Sequence, residues 1–189
     1  NVGAYTLLIG KRLRTEEQLG HIFSFEPESS NYHSLNRNIQ LNQLSDVVTA
    51  IPLAFGNKFK FAEFFLSSNE TGSATHGLNI PESEGIKFEP SHKQGIISMS
   101  VDSFLEVDNV TFPNHIKIDV DGLESEIIDG MSKTLLDSRL RTIIIEIATS
   151  LSNGAIEKKI LSAGFKIAME EEFNDTPYAI KNILFERSN

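Results

Sequence analysis

The chain has no cysteine, which excludes disulfides, thiolate metal sites and cysteine nucleophiles together. No apolar run approaches the roughly 18 to 20 residues that cross a bilayer, and no basic-then-apolar signal segment opens the chain. Cytoplasmic placement is the resulting expectation. A surplus of bases is also lacking: 17 Lys and Arg stand against 26 Asp and Glu, a formal net charge of −9. That balance opposes non-specific contact with nucleic acid or anionic lipid, so a small-molecule substrate is expected, with neither nucleic acid nor membrane as partner. There is no Gly-x-Ser-x-Gly elbow and no GKS or GKT phosphate loop. The histidines His21, His33, His76, His92 and His115 show no metal-ligand spacing, so no metal site is expected from them.

At 189 residues the chain suits a single domain with a substantial core. It opens NVGAYTLLIG, a glycine turn entering a helix-like apolar segment without an initiator methionine. This reads as the interior of a longer protein, and the piece alone is expected to be unstable or to bind ligand weakly. HIFSFE reads as a buried strand stopped by Pro27. Tyr32, Leu35 and Ile39 then recur at helical spacing, with Ser30 or Asn31 placed to cap the helix. DVVTAIPLAFG predicts a second strand and KFAEFFLS a third, the beginning of a parallel α/β sheet. The polar stretch 67–94 has little periodicity and predicts a long surface loop, either a substrate lid or an idle insertion.

Beyond it, GIISMSVDSFLEV predicts a strand running into a helical turn at Asp102. IKIDV predicts a strand expected to be central, and Leu123, Ile127, Ile128, Met131 and Leu135 share one face of the helix after it. TIIIEIA has the character of a strand buried on both faces, and NGAIEKKILSAG that of a helix ended by Gly164. FKIAMEEEF and KNILFER, joined by NDTPYAI, are too close for a parallel crossover and predict an antiparallel edge hairpin. The expected fold is α/β: a doubly wound, mostly parallel Rossmann-like sheet with helices on both faces and a C-terminal antiparallel hairpin.

In such sheets ligands sit beyond the carboxyl ends of the strands. Glu26 ends the first strand and follows Gly3 at close to the roughly 20-residue separation between a glycine turn and a ribose-binding acid. The bland alternative is an acid capping the next helix. Asp119 should face the same crevice, and burial would demand a ligand or a fixed donor for it. Lys117, two residues earlier on the same strand face, offers a structural ion pair instead. Asp121 and Glu124 stand on the turn and the first helical turn, where acids serve catalysis or meet the helix dipole. Glu146 and His76 are further candidates for a base. Asp119 with Asp121 also forms an Asp-x-Asp pair that could hold a metal on a sugar nucleotide.

The ordered blocks FSFEPESSNYHSLNRNIQLNQL, AIPLAFGNKFKFAEFFLS, VDSFL, HIKIDVDGLESEIIDGMSKTLL and TIIIEI together resemble the FkbM family of methyltransferases. The resemblance implies a class I fold dependent on S-adenosylmethionine, lacking its first strand here, and O-methylation of a hydroxyl on a sugar or secondary metabolite. It assigns Asn1, Gly3 and Tyr5 to the turn beside the methionine part of the cofactor and Glu26 to the ribose hydroxyls. Leu53 and Ala54 fall near the adenine, and Asp119 near the sulfonium and amino group. Asp121 stands where the family usually has glutamate. With the usual strand order Glu26 and Asp119 would lie about 10 Å apart, suited to different parts of one extended cofactor. Asp121 and Glu124 are then left for the acceptor's proton. Three rivals remain: a metal-dependent glycosyltransferase using Asp119 and Asp121, a nicotinamide dehydrogenase, and a non-catalytic binding module. A homodimer is a default expectation only.

Overall fold

The computed structural model describes residues 1–17, 19–67, 76–83, 86–120, 122–148, 153–173 and 180–188. Asp121, the side chain of His76, the turn at 174–179 and parts of the 67–94 stretch lie outside the described residues. The chain divides into two compact units, the first made of Asn1–Ala54, Phe61–Pro81 and Phe88–Ile97, the second of Phe55–Lys60, Glu82–Lys87 and Ser98–Asn189.

The first unit opens with α1 (Ala4–Thr15), β1 (Ile22–Phe25), α2 (Ser29–Leu41) and β2 (Val48–Ile51). β1 and β2 pair in parallel, Ile22 opposite Val48 and Phe25 opposite Ile51. Leu35 and Ile39 of α2 pack with Leu44 and Val48 into a buried cluster, as their spacing predicts. The cap of α2 differs from the expectation. Glu28, not Ser30 or Asn31, is the N-cap, and its carboxylate accepts hydrogen bonds from the Ser30 and Asn31 N–H groups at 2.8 and 2.6 Å. Its extended backbone lets a side chain longer than the usual cap residues reach both orphan donors.

Next come β3 (Ala54–Phe55), β4 (Lys60–Leu66), β5 (His76–Leu78), β6 (Glu82–Ser83), β7 (Ile86–Lys87) and β8 (His92–Met99). β4 alternates as expected, burying Ala62, Phe64 and Leu66 in a cluster with Ile96. Its partnership is not the expected one. β4 pairs antiparallel with β5 and belongs to a sheet of order β3-β8-β4-β5, whereas β1 and β2 form a sheet of their own. The segment from Ile51 to Lys60 is shorter than the dozen or so residues a parallel crossover needs. The stretch 67–94 thus carries β5, β6 and β7 and the first residues of β8 among its described residues.

The second unit adds α3 (Val101–Phe104), β9 (His115–Ile118), α4 (Glu124–Asp129), α5 (Ser132–Leu136), β10 (Thr142–Ala148), α6 (Ala155–Ser162), β11 (Phe165–Phe173) and β12 (Ile180–Arg187). Its sheet runs β11-β12-β10-β9, with β9 parallel to β10 and the last two strands antiparallel, the expected hairpin. Ile143, Ile145, Ile183 and Phe185 of the sheet are buried against Met131, Leu135 and Ile160 of the helices. Among the described residues β9 pairs with β10 alone in this sheet.

The helix expected through Leu123 to Leu135 breaks at Gly130. A Cβ there would lie 2.0 Å from the carbonyl oxygen of Gly56, so the backbone approach allows glycine alone. The Gly130 carbonyl accepts the Asp102 N–H at 3.0 Å. The Asp102 carboxylate in turn caps α5, accepting the N–H groups of Lys133 and Thr134 at 2.9 Å each and the Thr134 hydroxyl at 2.6 Å. Burial pushes the Asp102 carboxyl up, but the hydrogen bonds from Thr134, Lys133 and Ser132 outweigh it and leave the group below the usual carboxylate value.

Candidate functional site

In the first unit β1 delivers Glu26 to the carboxyl end of its sheet. The Glu26 N–H still donates to the Ile51 carbonyl at 3.1 Å, which extends the ladder and fixes the residue's backbone. Its side chain is buried, with the residue only 6% exposed. One carboxylate oxygen accepts the Glu28 N–H at 2.8 Å, and the other lies against the backbone nitrogen of Asn1. Asn1 and Glu26, both singled out from the sequence, are thereby brought together.

Gly3 has φ +95°, and a Cβ on it would come within 2.4 Å of the Leu35 side chain, so both conformation and space call for glycine. Its carbonyl starts α1 by accepting the Leu7 N–H at 2.9 Å. Tyr5, on the first turn of α1, is exposed. Beyond β2, the half-buried Leu53 donates its N–H to Ile51 at 3.0 Å and Ala54 is buried. Gln94 escaped the sequence argument: its amide donates to the Pro27 carbonyl at 2.6 Å and accepts the Ser29 N–H at 3.2 Å. It ties the start of β8 to the turn after Glu26. No periodicity marks such a bond, because its partners stand far apart in the chain.

In the second unit β9 ends at Ile118, and Asp119 follows. Its side chain is 37% exposed, so the burial expected for it is not found in this structure. Lys117 forms an ion pair with Asp119 through Oδ2. In the register Lys117 stands opposite Ile144 of β10, two residues before the half-buried Glu146. Gly122, at φ +96°, turns the chain toward α4. The Glu124 carboxylate reaches back to accept the Gly122 N–H at 3.3 Å, so in this structure it braces the turn. Nearby on α4, Glu126 pairs with Lys60 at 3.0 Å, a contact across the sequence that motif reading missed. The Ser98 hydroxyl is fully buried and has no hydrogen-bond partner among the described residues.

Among the described residues these strand ends present hydrogen-bond acceptors and paired charges and no nucleophile activated by a neighbouring base. A carboxylate like Glu26, fixed by the backbone N–H of Glu28, suits a ligand with adjacent hydroxyls. Asp119 carries the Lys117 ammonium on one carboxylate oxygen. Among the described residues no group of three His, Asp or Glu is placed to hold a metal ion.

A family model described as the FkbM methyltransferase domain matches residues 1–167. The chain belongs to this family. Members of the FkbM family use S-adenosylmethionine. Among curated proteins, Methyltransferase 1 of the fungus Beauveria bassiana is 25% identical over 187 residues, covering 90% of this chain and 71% of its own length. The hexuronic acid methyltransferase AglP of Haloferax volcanii is 26% identical over 163 residues, 85% of this chain and 61% of AglP.

Among solved structures, an FkbM methyltransferase from Methylobacillus flagellatus superposes with a TM-score of 0.62 at 16% identity, over 98% of this chain and 40% of that one. TrmK of M. capricolum, solved with S-adenosyl-homocysteine, gives 0.52 at 8% identity, over 96% and 57%. At these identities the superpositions establish the fold, a Rossmann-like α/β methyltransferase fold. This FkbM chain spans well under two thirds of both solved proteins, and no helix among its described residues is long and apolar enough to cross a membrane.

Proposed function

We propose that the protein is an S-adenosylmethionine-dependent O-methyltransferase acting on a hydroxyl of a small molecule, a sugar or a secondary metabolite. The observation that carries this is Glu26, a buried carboxylate at the end of β1 fixed by the Glu28 N–H. A buried acid needs compensation, and the ribose hydroxyls of the cofactor supply two donors to it. Asn1, Gly3 and Tyr5 line the turn for the methionine part, Leu53 and Ala54 the adenine, and Asp119 the amino group. Bound there, S-adenosylmethionine supplies a methyl group activated on a sulfonium. The protein's share of the catalysis is then orientation of the acceptor oxygen at near-attack distance and removal of its proton.

For that proton we assign the two acids of the turn after Asp119, Asp121 and Glu124. The bond from the Gly122 N–H holds Glu124 in place. The similarity to AglP, whose acceptor is a hexuronic acid, supports a sugar acceptor. Calorimetric titration of the full-length protein with S-adenosylmethionine, S-adenosylhomocysteine, NAD and a UDP-sugar with manganese tests the reading. Binding of the first two alone is expected; binding of NAD or of UDP-sugar with manganese in their place would replace it with a dehydrogenase or a glycosyltransferase. An Asp121→Ala variant that kept both affinity and turnover would remove Asp121 from the acceptor side.

A further inference from the structure

The proposed function uses Asp119 and leaves Lys117 without a task. The two stand at positions i and i+2 of one strand face. Lys117 Nζ reaches Asp119 Oδ2, so both charges lie at the same level, just past Ile118, the last residue of β9 paired to β10. Their side chains are 25% and 37% exposed. Water screens a pair this accessible, and ordering a long lysine side chain offsets part of what it contributes to stability. Stability is therefore a weak reason for the pair to be there.

An adjacent ammonium and carboxylate are the charge complement of an α-amino acid head group, which carries one of each on a single carbon. When such a zwitterion meets the pair, Asp119 exchanges the lysine for the ligand's ammonium. Lys117 exchanges Asp119 for the ligand's carboxylate, and no charge is left without a counter-charge. We propose that Lys117 binds the carboxylate of the cofactor's methionine moiety while Asp119 binds its ammonium. This rests on the methyltransferase reading above and adds a second recognition element to it: the strand end selects an amino acid and not merely a cation. A lysine serving only to neutralise Asp119 would compete with the ligand's ammonium instead, and its removal would tighten binding.

Three ligands separate these roles on the full-length protein by calorimetry. S-adenosylhomocysteine carries both head-group charges, its decarboxylated analogue keeps only the ammonium, and methylthioadenosine has neither. Lys117→Met is expected to weaken S-adenosylhomocysteine roughly tenfold or more. It should leave the decarboxylated analogue unchanged or tighter and methylthioadenosine unchanged. Lys117→Arg should recover most of the loss. Asp119→Asn should weaken the first two ligands and spare the third. Lys117→Met that weakens all three alike, or tightens or leaves unaltered S-adenosylhomocysteine, overturns the carboxylate assignment alone. Wild-type protein that binds none of the three removes the methyltransferase reading, and the assignment with it.

Discussion

Glu26 and Asp119 occupy equivalent places in their units, each the acid that closes a parallel strand ahead of a turn and a helix. Glu26 is buried, anchored by a backbone N–H, and followed by a second glutamate that takes over the capping of α2. Asp119 is exposed and, among the described residues, paired with Lys117. In its unit Asp102 caps α5, and Glu124 braces the turn before α4. On the proposed reading the fold frees each acid for a ligand in its own way. It either gives the capping work to a neighbour, as Glu28 does for Glu26, or balances the charge with a removable partner, as Lys117 does for Asp119.

The largest effect that bears on this contrast comes from the glycines behind each strand end. A Cβ at Gly3 would meet the far end of the Leu35 side chain, which can swing aside, whereas one at Gly130 would meet backbone. Gly130→Ala is therefore expected to destabilise the protein by about 3 kcal/mol or more. Gly3→Ala should cost roughly 1–2 kcal/mol, chiefly for its left-handed conformation. Urea unfolding of the two variants checks the order; equal losses would mean that α4 and α5 shift easily and that the Gly56 contact is not rigid.

A smaller effect tests the acids themselves. Glu26→Gln keeps an oxygen for the Glu28 N–H and so should fold normally, yet it should weaken S-adenosylhomocysteine by roughly 100-fold, because charge-assisted bonds are strong where water is excluded. Asp119→Asn should cost only about tenfold and should lose part of that effect as salt rises from low to physiological, as expected of an exposed charge. A salt dependence shared by both variants would erase the distinction between a buried and an open acid.

The sequence made the local layer plain. Apolar runs such as TIIIEIA and the helical spacing of Leu35 and Ile39 announce their elements, because burial imposes the period on the residues themselves. Partnership was less legible. β4 has the alternation of a strand facing any sheet, and only its pairing with β5 shows that it leaves the parallel layer. The bonds of Gln94 and the Lys60–Glu126 pair join residues 65 to 67 positions apart, where no local signal exists. Glu28 was passed over as a cap because shorter side chains usually hold that position.

The smallest expected effect concerns the capping acids of the second unit at low pH. Asp137 is held down to about 2, first by the side-chain hydrogen bond from Arg139 and then by the Arg139 N–H. Asp102 also lies below the ordinary 3.8, burial raising it and the bonds from Thr134, Lys133 and Ser132 lowering it further than burial lifts it. A depressed carboxylate stabilises the fold fully above its unfolded value, and that contribution is lost as pH falls through the folded one. Stability should therefore decline between pH about 4 and about 2, the interval set by the two groups. Asp102→Asn replaces the titrating group with one that never ionises, so it should lower the melting midpoint at neutral pH and flatten its slope across that interval. The two proteins should converge once the wild-type carboxyl is protonated. A variant with an unaltered slope would place the acid sensitivity elsewhere, and would mean that the bonds from Thr134 and Lys133 survive protonation of Asp102.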